Sequence, residues 1–177
     1  MPLPIEADRI RLRRFTLDDV PNVLRLSSDP SVHDAADELG SNETEAAAYI
    51  DKQNALADFE PGALFDLAIA LRDNDELIGM TTLVLGDGTA EVGYALHSNF
   101  RGNGYVTEAA RALVDHAFTQ LHVTLVHAEI EPDNRPSRAV IERLAFTEVT
   151  GTIPTRSPTA VAYSITAEAW TTLTESP

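Results

Sequence analysis

The chain has 177 residues, 44% hydrophobic and 23% charged, enough to bury one core and close to the usual size of a single domain. Its formal net charge is −15, with 28 acids against 13 bases, which argues against a nucleic-acid partner, because binding a polyanion rests on basic patches that neutralise phosphates. The absence of cysteine excludes disulfides, thiolate metal sites and an acyl-cysteine intermediate, and no metal is expected. No apolar run approaches the roughly 20 residues of a spanning helix, and the start from Met1 to Leu12 lacks the layout of a signal peptide. A soluble, cytoplasmic protein with no membrane partner is the expectation. The sequon Asn42-Glu43-Thr44 reads as a helix start.

Arg9 to Arg14 alternates apolar Ile10 and Leu12 with arginines, the period-two pattern of a half-buried strand. Thr16, with Asp19 three residues on, opens a helix whose stripe is Leu17, Val20, Val23, Leu24 and Leu26, and Pro21 falls early in it, where proline is tolerated. Asp29-Pro30 marks a loop. Ser41 to Glu45 supplies cap residues and first-turn acids for a second helix running to about Phe59. Three strand-like runs follow, Leu64 to Arg72, Glu76 to Leu85 and Ala90 to His97, joined as antiparallel hairpins by Asp73-Asn74-Asp75 and Gly86-Asp87-Gly88. The third runs into the stretch Asn99 to Ala110, which holds Gly102 and Gly104. From Tyr105, apolar residues recur at Val106, Ala109, Ala112, Leu113, Ala117 and Leu121, an amphipathic helix of about four turns. Leu125 to Ile130 reads as a strand, Pro136 to Leu144 as a helix and Phe146 to Ile153 as a strand. Val161 to Ile165 is the last strand, suited to pair at an edge or to pack a homodimer. The sum is one domain, residues 1–177, of the α/β (α+β) class: a mixed, mostly antiparallel seven-stranded sheet with helices on both faces.

The acids are unevenly spread. Nine fall between Asp29 and Glu60 against the single base Lys52, whereas from His97 to Arg143 six acids face Arg101, Arg111, Arg135, Arg138 and Arg143. Positive charge is kept where an anionic ligand would need it. A strand that stops at a glycine turn and is followed by a helix presents free backbone N–H groups at the positive end of the helix dipole, a ready anion site. Gly102 and Gly104 allow positive φ and close approach of a ligand, although a plain structural turn is an equal reading of two glycines alone. A dinucleotide fingerprint would need a third glycine where Thr107 stands, and the Walker A lysine is absent.

The run from Arg101 to Phe118, followed by that from His127 to Phe146, resembles the Gcn5-related N-acetyltransferases (GNAT), and within them the ribosomal-protein alanine acetyltransferase branch. Ile10 to Val20 and Tyr163 to Trp170 extend the resemblance over most of the chain. The resemblance implies a GNAT-type domain that moves an acetyl group from acetyl-CoA to a primary amine, on a small molecule or a protein N-terminus, by direct transfer in a ternary complex. It implies that Arg101, Gly102, Asn103, Gly104, Tyr105 and Val106 wrap the pyrophosphate through main-chain N–H groups, with Thr107 adding its hydroxyl. The fourth and fifth strands would splay near Leu96 to admit the pantetheine arm, with an N–H there facing the thioester carbonyl. Asn134 would hydrogen-bond the pantetheine or the loop beside it, and Ser137 would steady the departing thiolate. A thiol of pKa about 8.5 leaves readily enough that a hydrogen bond suffices. Many members carry a tyrosine where this chain has Ile141, so no tyrosine acid comes from that helix; the structural alternative for Ser137 is a helix-start cap.

The base is open at this stage. Alternation from Leu125 to Glu131 puts His127, Glu129 and Glu131 on one strand face, and Glu91 lies at the start of the preceding strand; the order of preference is Glu91, Glu129, His127. His97 reads as a loop-edge residue. Arg135, Arg138 and Arg143 are candidates for the 3′-phosphate, with Arg138 placed in the cofactor set. Ala145 stands where the family has a helix-ending glycine, at a cost of about 1 kcal/mol or a small shift of the turn. The acidic stretch from Asp29 to Glu60 would lie on the acceptor side and favour a cationic acceptor such as a polyamine, an aminoglycoside or a basic N-terminal peptide. General surface acidity competes with that reading. The alternative to an enzyme is a catalytically inactive acyl-CoA-binding sensor or interaction module.

Overall fold

A computed structural model describes residues 3–32, 38–149, 151, 153 and 157–175. The strands are β1 (Ile5–Glu6), β2 (Ile10–Arg13), β3 (Leu64–Leu71), β4 (Leu77–Leu85), β5 (Thr89–Leu96), β6 (Leu125–Ile130), β7 (Thr147–Val149) and β8 (Val161–Thr166). The helices are α1 (Val20–Ser27), α2 (Glu43–Ala55), α3 (Tyr105–Thr119), α4 (Arg135–Arg143) and α5 (Ala167–Glu175). One sheet takes all the strands in the order β1-β2-β3-β4-β5-β6-β8-β7. Every neighbouring pair is antiparallel except β5 and β6.

That sheet has eight strands rather than seven. The extra one, β1, pairs Ile5 with Leu12 and Glu6 with Arg11, and two residues are too few to show a period. β8 also differs from expectation. It is interior, pairing with β6 along its whole length and with β7 at residues 162–164, so it does not form an edge. The chain closes with α5, whose Trp170 is buried and donates its indole N–H to Asp115.

Alternation along the strands divides the interior in two. Phe65, Leu67 and Ile69 of β3 face a cluster with Leu113 and Val114 of α3 and Val140 and Ile141 of α4. Ala68 and Met80, of opposite parity, face Val23 and Leu26 of α1 and Tyr49 and Ile50 of α2. Helices therefore cover both faces, as period-two strands with two apolar faces require. Local chemistry sets the ends. Asp19 accepts from the Thr16 N–H at 2.8 Å and takes a two-pronged bond from Arg13 at 2.7 and 2.9 Å, which fixes the turn into α1. Asn42 caps α2 by accepting from the Glu45 N–H at 3.1 Å. Among the described residues no helix is long and apolar enough to cross a membrane.

α4 ends in a left-handed turn. The Phe146 N–H reaches the Ile141 carbonyl at 3.1 Å and the Ala145 N–H that of Glu142 at 3.0 Å, the paired bonds of a Schellman motif. Ala145 itself takes φ 60°, so the missing glycine leaves the turn in place and the alanine bears the strain.

Candidate functional site

β5 and β6 pair only from Thr89–Glu91 to Leu125–His127; beyond that point they diverge. The hydrogen-bond parity of β5 then decides what faces the gap. Leu96 stands opposite Gly79 of β4, and the next residue, His97, donates to the Ile78 carbonyl at 3.0 Å. Leu96 and Gly79 are thus a non-hydrogen-bonded pair, and the N–H and C=O of Leu96 point away from β4 into the splay. The same parity applies to Tyr94 and Val92. An open edge of strand backbone results, suited to pairing with an extended amide-bearing ligand.

A cavity of about 1430 Å³ passes through this splay, bordered by residues from both faces of the sheet. At one mouth lies the glycine turn. Gly102 and Gly104 have φ 79° and 82°. A Cβ on Gly102 would meet nothing within 4 Å, so conformation and not crowding requires glycine there. The first bond of α3 runs from the Glu108 N–H to the Gly104 carbonyl at 3.0 Å, which leaves the N–H groups of Tyr105, Val106 and Thr107 outside the helix ladder. All three residues border the cavity, with Gly102 and Gly104.

Two arginines hold this turn in shape. Arg9 donates from its backbone N–H and its Nε to Glu108 at 2.6 and 2.8 Å, and from Nη1 to the Asn103 carbonyl at 2.9 Å, with its guanidinium 4.8 Å from the Tyr105 ring centroid. Arg101 turns its guanidinium back to the Leu96 carbonyl at 3.2 and 3.1 Å and to the Ser31 carbonyl at 3.3 Å. Asn103 ties the turn from inside, donating to the Phe100 and Arg101 carbonyls at 3.2 Å each. The side chains of Arg101 and Asn103 are therefore committed to the loop, and only their main chain is open to a ligand.

His97, the residue after β5, is buried. Its Nδ1 accepts from the Asn99 N–H at 3.2 Å and its Nε2 stands 3.8 Å from Asp29. Asp29 is buried and accepts from the Ser98 N–H at 2.6 Å and the Ser31 N–H at 3.0 Å. Burial opposes its charge, yet the hydrogen bonds from Ser31 and Ser98 outweigh burial and hold the carboxyl well below the usual carboxylate range.

Across the gap, Asn134 caps α4 by accepting from the Ser137 N–H at 3.1 Å. The cap is Asn134, not Ser137. The Ser137 carbonyl accepts from the Tyr94 hydroxyl at 2.8 Å, which braces α4 against β5. Burial pushes the Tyr94 phenol above its ordinary range. Ile141, where a tyrosine acid was excluded, is core. Arg143 and Arg111 border the cavity, whereas Arg138 does not and donates to the Pro132 carbonyl at 3.4 Å. Arg135 also lies off the cavity wall.

Glu91 and Glu129 both border the cavity on the α1/α2 side, and His127 is opposite Glu91 in the parallel register without bordering it. Glu131 accepts from the Thr159 hydroxyl at 2.7 Å, and hydrogen bonds from Ser157 and Thr159 lower its pKa. A further carboxylate on this face was missed in the sequence. Asp66 of β3 is 2% exposed and borders the cavity. It accepts from the Tyr49 hydroxyl at 2.8 Å, the Gln53 amide at 3.0 Å and the Thr82 hydroxyl. Burial raises its pKa to about 6 against the lowering effect of the Thr82 and Tyr49 hydrogen bonds. The signal available was a lone acid inside the otherwise apolar run of β3.

A family model described as an acetyltransferase (GNAT) domain matches residues 9–147. The uncharacterized N-acetyltransferase p20 of Bacillus licheniformis is 31% identical over 143 residues, 78% of this chain and 79% of its own. Among solved structures, an acetyltransferase of the GNAT family from Bacillus anthracis superposes with a TM-score of 0.76 at 24% identity, covering 94% of this chain and 99% of its own. RimL, a ribosomal alpha-N-protein acetyltransferase in complex with coenzyme A, gives 0.75 at 18% identity, covering 94% and 99%. These two likenesses are of fold.

Proposed function

The chain belongs to the acetyltransferase (GNAT) family, and from that membership we propose that it moves an acetyl group from acetyl-CoA to a primary amine by direct transfer in a ternary complex. The observation that carries the proposal is the splay between β5 and β6, with the Leu96 N–H directed into it and the glycine turn at its mouth. In this reading, residues 1–177 act as one domain. The N–H groups of residues 102–107 receive the pyrophosphate at the start of α3, and the open edge of β5 pairs with the pantetheine amides. The Leu96 N–H faces the thioester carbonyl, where negative charge develops during attack. The Leu96 carbonyl, in the next peptide unit, is held by Arg101, which ties the end of β5 to the glycine turn.

The amine nitrogen adds to the carbonyl carbon and the C–S bond breaks, its electron pair leaving on sulfur. Ser137, from the first turn of α4, offers its hydroxyl to that thiolate, and Asn134 keeps the turn in place. Arg143 and Arg111, which border the cavity, join Arg138 as candidates for the 3′-phosphate. For the acceptor, the acidic segment across residues 29–60 supports a positively charged amine. The RimL likeness supports a protein N-terminus as one form of it.

Release of free thiol from acetyl-CoA, measured against spermidine, kanamycin and short peptides with a free N-terminus, tests the reading. Thiol release with at least one amine is expected. Replacing Ser137 by Ala should lower kcat on the order of 10-fold to 100-fold with little change in KM for acetyl-CoA. Binding of acetyl-CoA without thiol release for any acceptor would instead mark an inactive binding module.

A further inference from the structure

Asp66, Thr82 and Gly93 stand side by side across β3, β4 and β5, on the face covered by α1 and α2, and all three border the cavity. With neighbouring strands about 4.8 Å apart, the row runs ~10 Å from a buried carboxylate to the margin of the splay. Thr82 donates its hydroxyl to Asp66 Oδ1 and accepts no hydrogen bond among the described residues, so its oxygen, on the cavity wall, has lone pairs to offer. Gly93 completes the path. It does not adopt positive φ, and a Cβ there would meet only ordinary contacts with Thr82 at 3.6 and 3.9 Å. Neither backbone nor packing demands glycine, and its bare Cα leaves the wall open beside the Thr82 hydroxyl.

The charges around Asp66 do not neutralise it. Lys52 and Tyr49 of α2 and Glu38 ahead of that helix act on it, while Arg14 is turned to Asp58 at the end of β2. Glu91, His127 and Glu129 share the sheet face two and three strands away. No cation stands within salt-bridge distance of Asp66 among the described residues. A buried carboxylate with no cation at salt-bridge distance is carried at a cost to the fold, and here it opens onto the cavity.

We propose that Asp66, acting through Thr82, takes up the proton of the acceptor's ammonium group, with Thr82 Oγ1 as the atom the nitrogen approaches over Gly93. This rests on the acetyltransferase reading above. One proton of R–NH3+ passes to Thr82 Oγ1 as the Thr82 proton passes to Asp66 Oδ1. The freed lone pair forms the C–N bond, the C–S bond breaks, and the surplus proton on nitrogen leaves with the sulfur as thiol. Asp66 then returns its proton to solvent, and no other reactant is needed. Its ionisation near 6 suits a group that is charged at neutral pH and still basic enough to accept. Glu91 and Glu129 then shape the acceptor's electrostatic surroundings.

The test is the pH dependence of thiol release from acetyl-CoA, with the most active of spermidine, kanamycin and peptides beginning in Ala or Ser. It is run on the full chain and its Asp66→Asn, Thr82→Val, Thr82→Ser and Gly93→Ala variants. The wild type should show an acidic limb near pH 6 in kcat/KM. Asp66→Asn and Thr82→Val should each lose on the order of 100-fold and Asp66→Asn should lose that limb, while Thr82→Ser stays within about 3-fold. Gly93→Ala should raise KM for the amine and leave acetyl-CoA affinity, read by calorimetry, unchanged. A folded Asp66→Asn or Thr82→Val protein that keeps the wild-type rate and limb overturns the relay. Should Asp66→Asn not fold, the contrast between Thr82→Val and Thr82→Ser decides. A wild type that releases no thiol with any of these amines refutes the acetyltransferase reading and the relay together, whereas turnover indifferent to the variants refutes the relay alone.

Discussion

Replacing Asp66 by Asn should make the protein more stable at neutral pH while impairing it as a catalyst. The carboxyl is 2% exposed and ionises at about 6 in the folded chain, against roughly 3.9 in an unfolded one. The folded value is the higher, so the folded chain holds the proton more firmly. Stability is fully present below about 3.9, falls as pH rises through the interval, and is at its lowest above about 6. The difference is worth ~3 kcal/mol at 1.36 kcal/mol for each tenfold change in proton affinity. The isosteric amide keeps an oxygen for Tyr49 and Gln53 and presents an NH2 to Thr82, whose hydroxyl rotates to accept. Allowing about 1 kcal/mol for that rearrangement, the variant should gain ~2 kcal/mol at pH 8 and little or nothing near pH 4. In a chain of this length each kcal/mol moves Tm by about 2–4 °C. Urea titrations and thermal melts at the two pH values measure it. A gain equal at both, or a loss at pH 8, would refute the argument that Asp66 is carried at a stability cost.

Ala145→Gly should stabilise the chain by about 1 kcal/mol, or about 2–4 °C, because φ 60° strains an alanine that is exposed and loses no packing; an unchanged melt would mean the turn is relaxed. His116 is buried against the Phe59 ring, its Nε2 has no hydrogen-bond partner among the described residues, and burial lowers its pKa. With the folded value below the unfolded one, its neutral form is favoured in the fold, so stability is lost as pH falls below about 6.5. His116→Phe should therefore gain on wild type progressively between pH 7 and 5 in paired urea titrations, and a difference independent of pH would contradict this. Arg9→Met should weaken acetyl-CoA binding several-fold by calorimetry while changing stability by less than about 1 kcal/mol, since its pairs are partly exposed. A large stability loss with unaltered affinity would show that Arg9 serves the fold and not the turn.

What could be read in advance followed the reach of the signals. The three hairpin-linked strands, the glycine turn and α3 declare themselves because period and turn chemistry are local. Two-residue β1 has no period, and α5, rich in threonine, has little helical propensity; it is a helix because Trp170 docks. Side-chain direction was less accessible. Arg101, Arg138 and Arg143 are alike as letters, yet Arg101 and Arg143 border the cavity, Arg101 also pinning Leu96, while Arg138 bonds Pro132. Alternation placed Glu91 and Glu129 on a shared face but gave no depth. Asp66 escaped notice because its burial is made by Tyr49 and Gln53 of α2, a contact between segments that no local pattern encodes.

Arg9 bears on how the protein is made as well as on its shape. Its bonds to Glu108 and Asn103 join residues 99 and 94 positions apart, and such contacts form only after the entropic cost of closing a long loop has been met. On a ribosome, Arg9 emerges long before its partners and has nothing to hold until the sheet between them has assembled. Capture of an anion at the turn should therefore be among the last properties to appear during refolding, with the kinetics of the slowest phase. A half-folded or nicked chain that has lost its first ten residues would keep much of its sheet and yet lack the bonds from Arg9 that shape the turn.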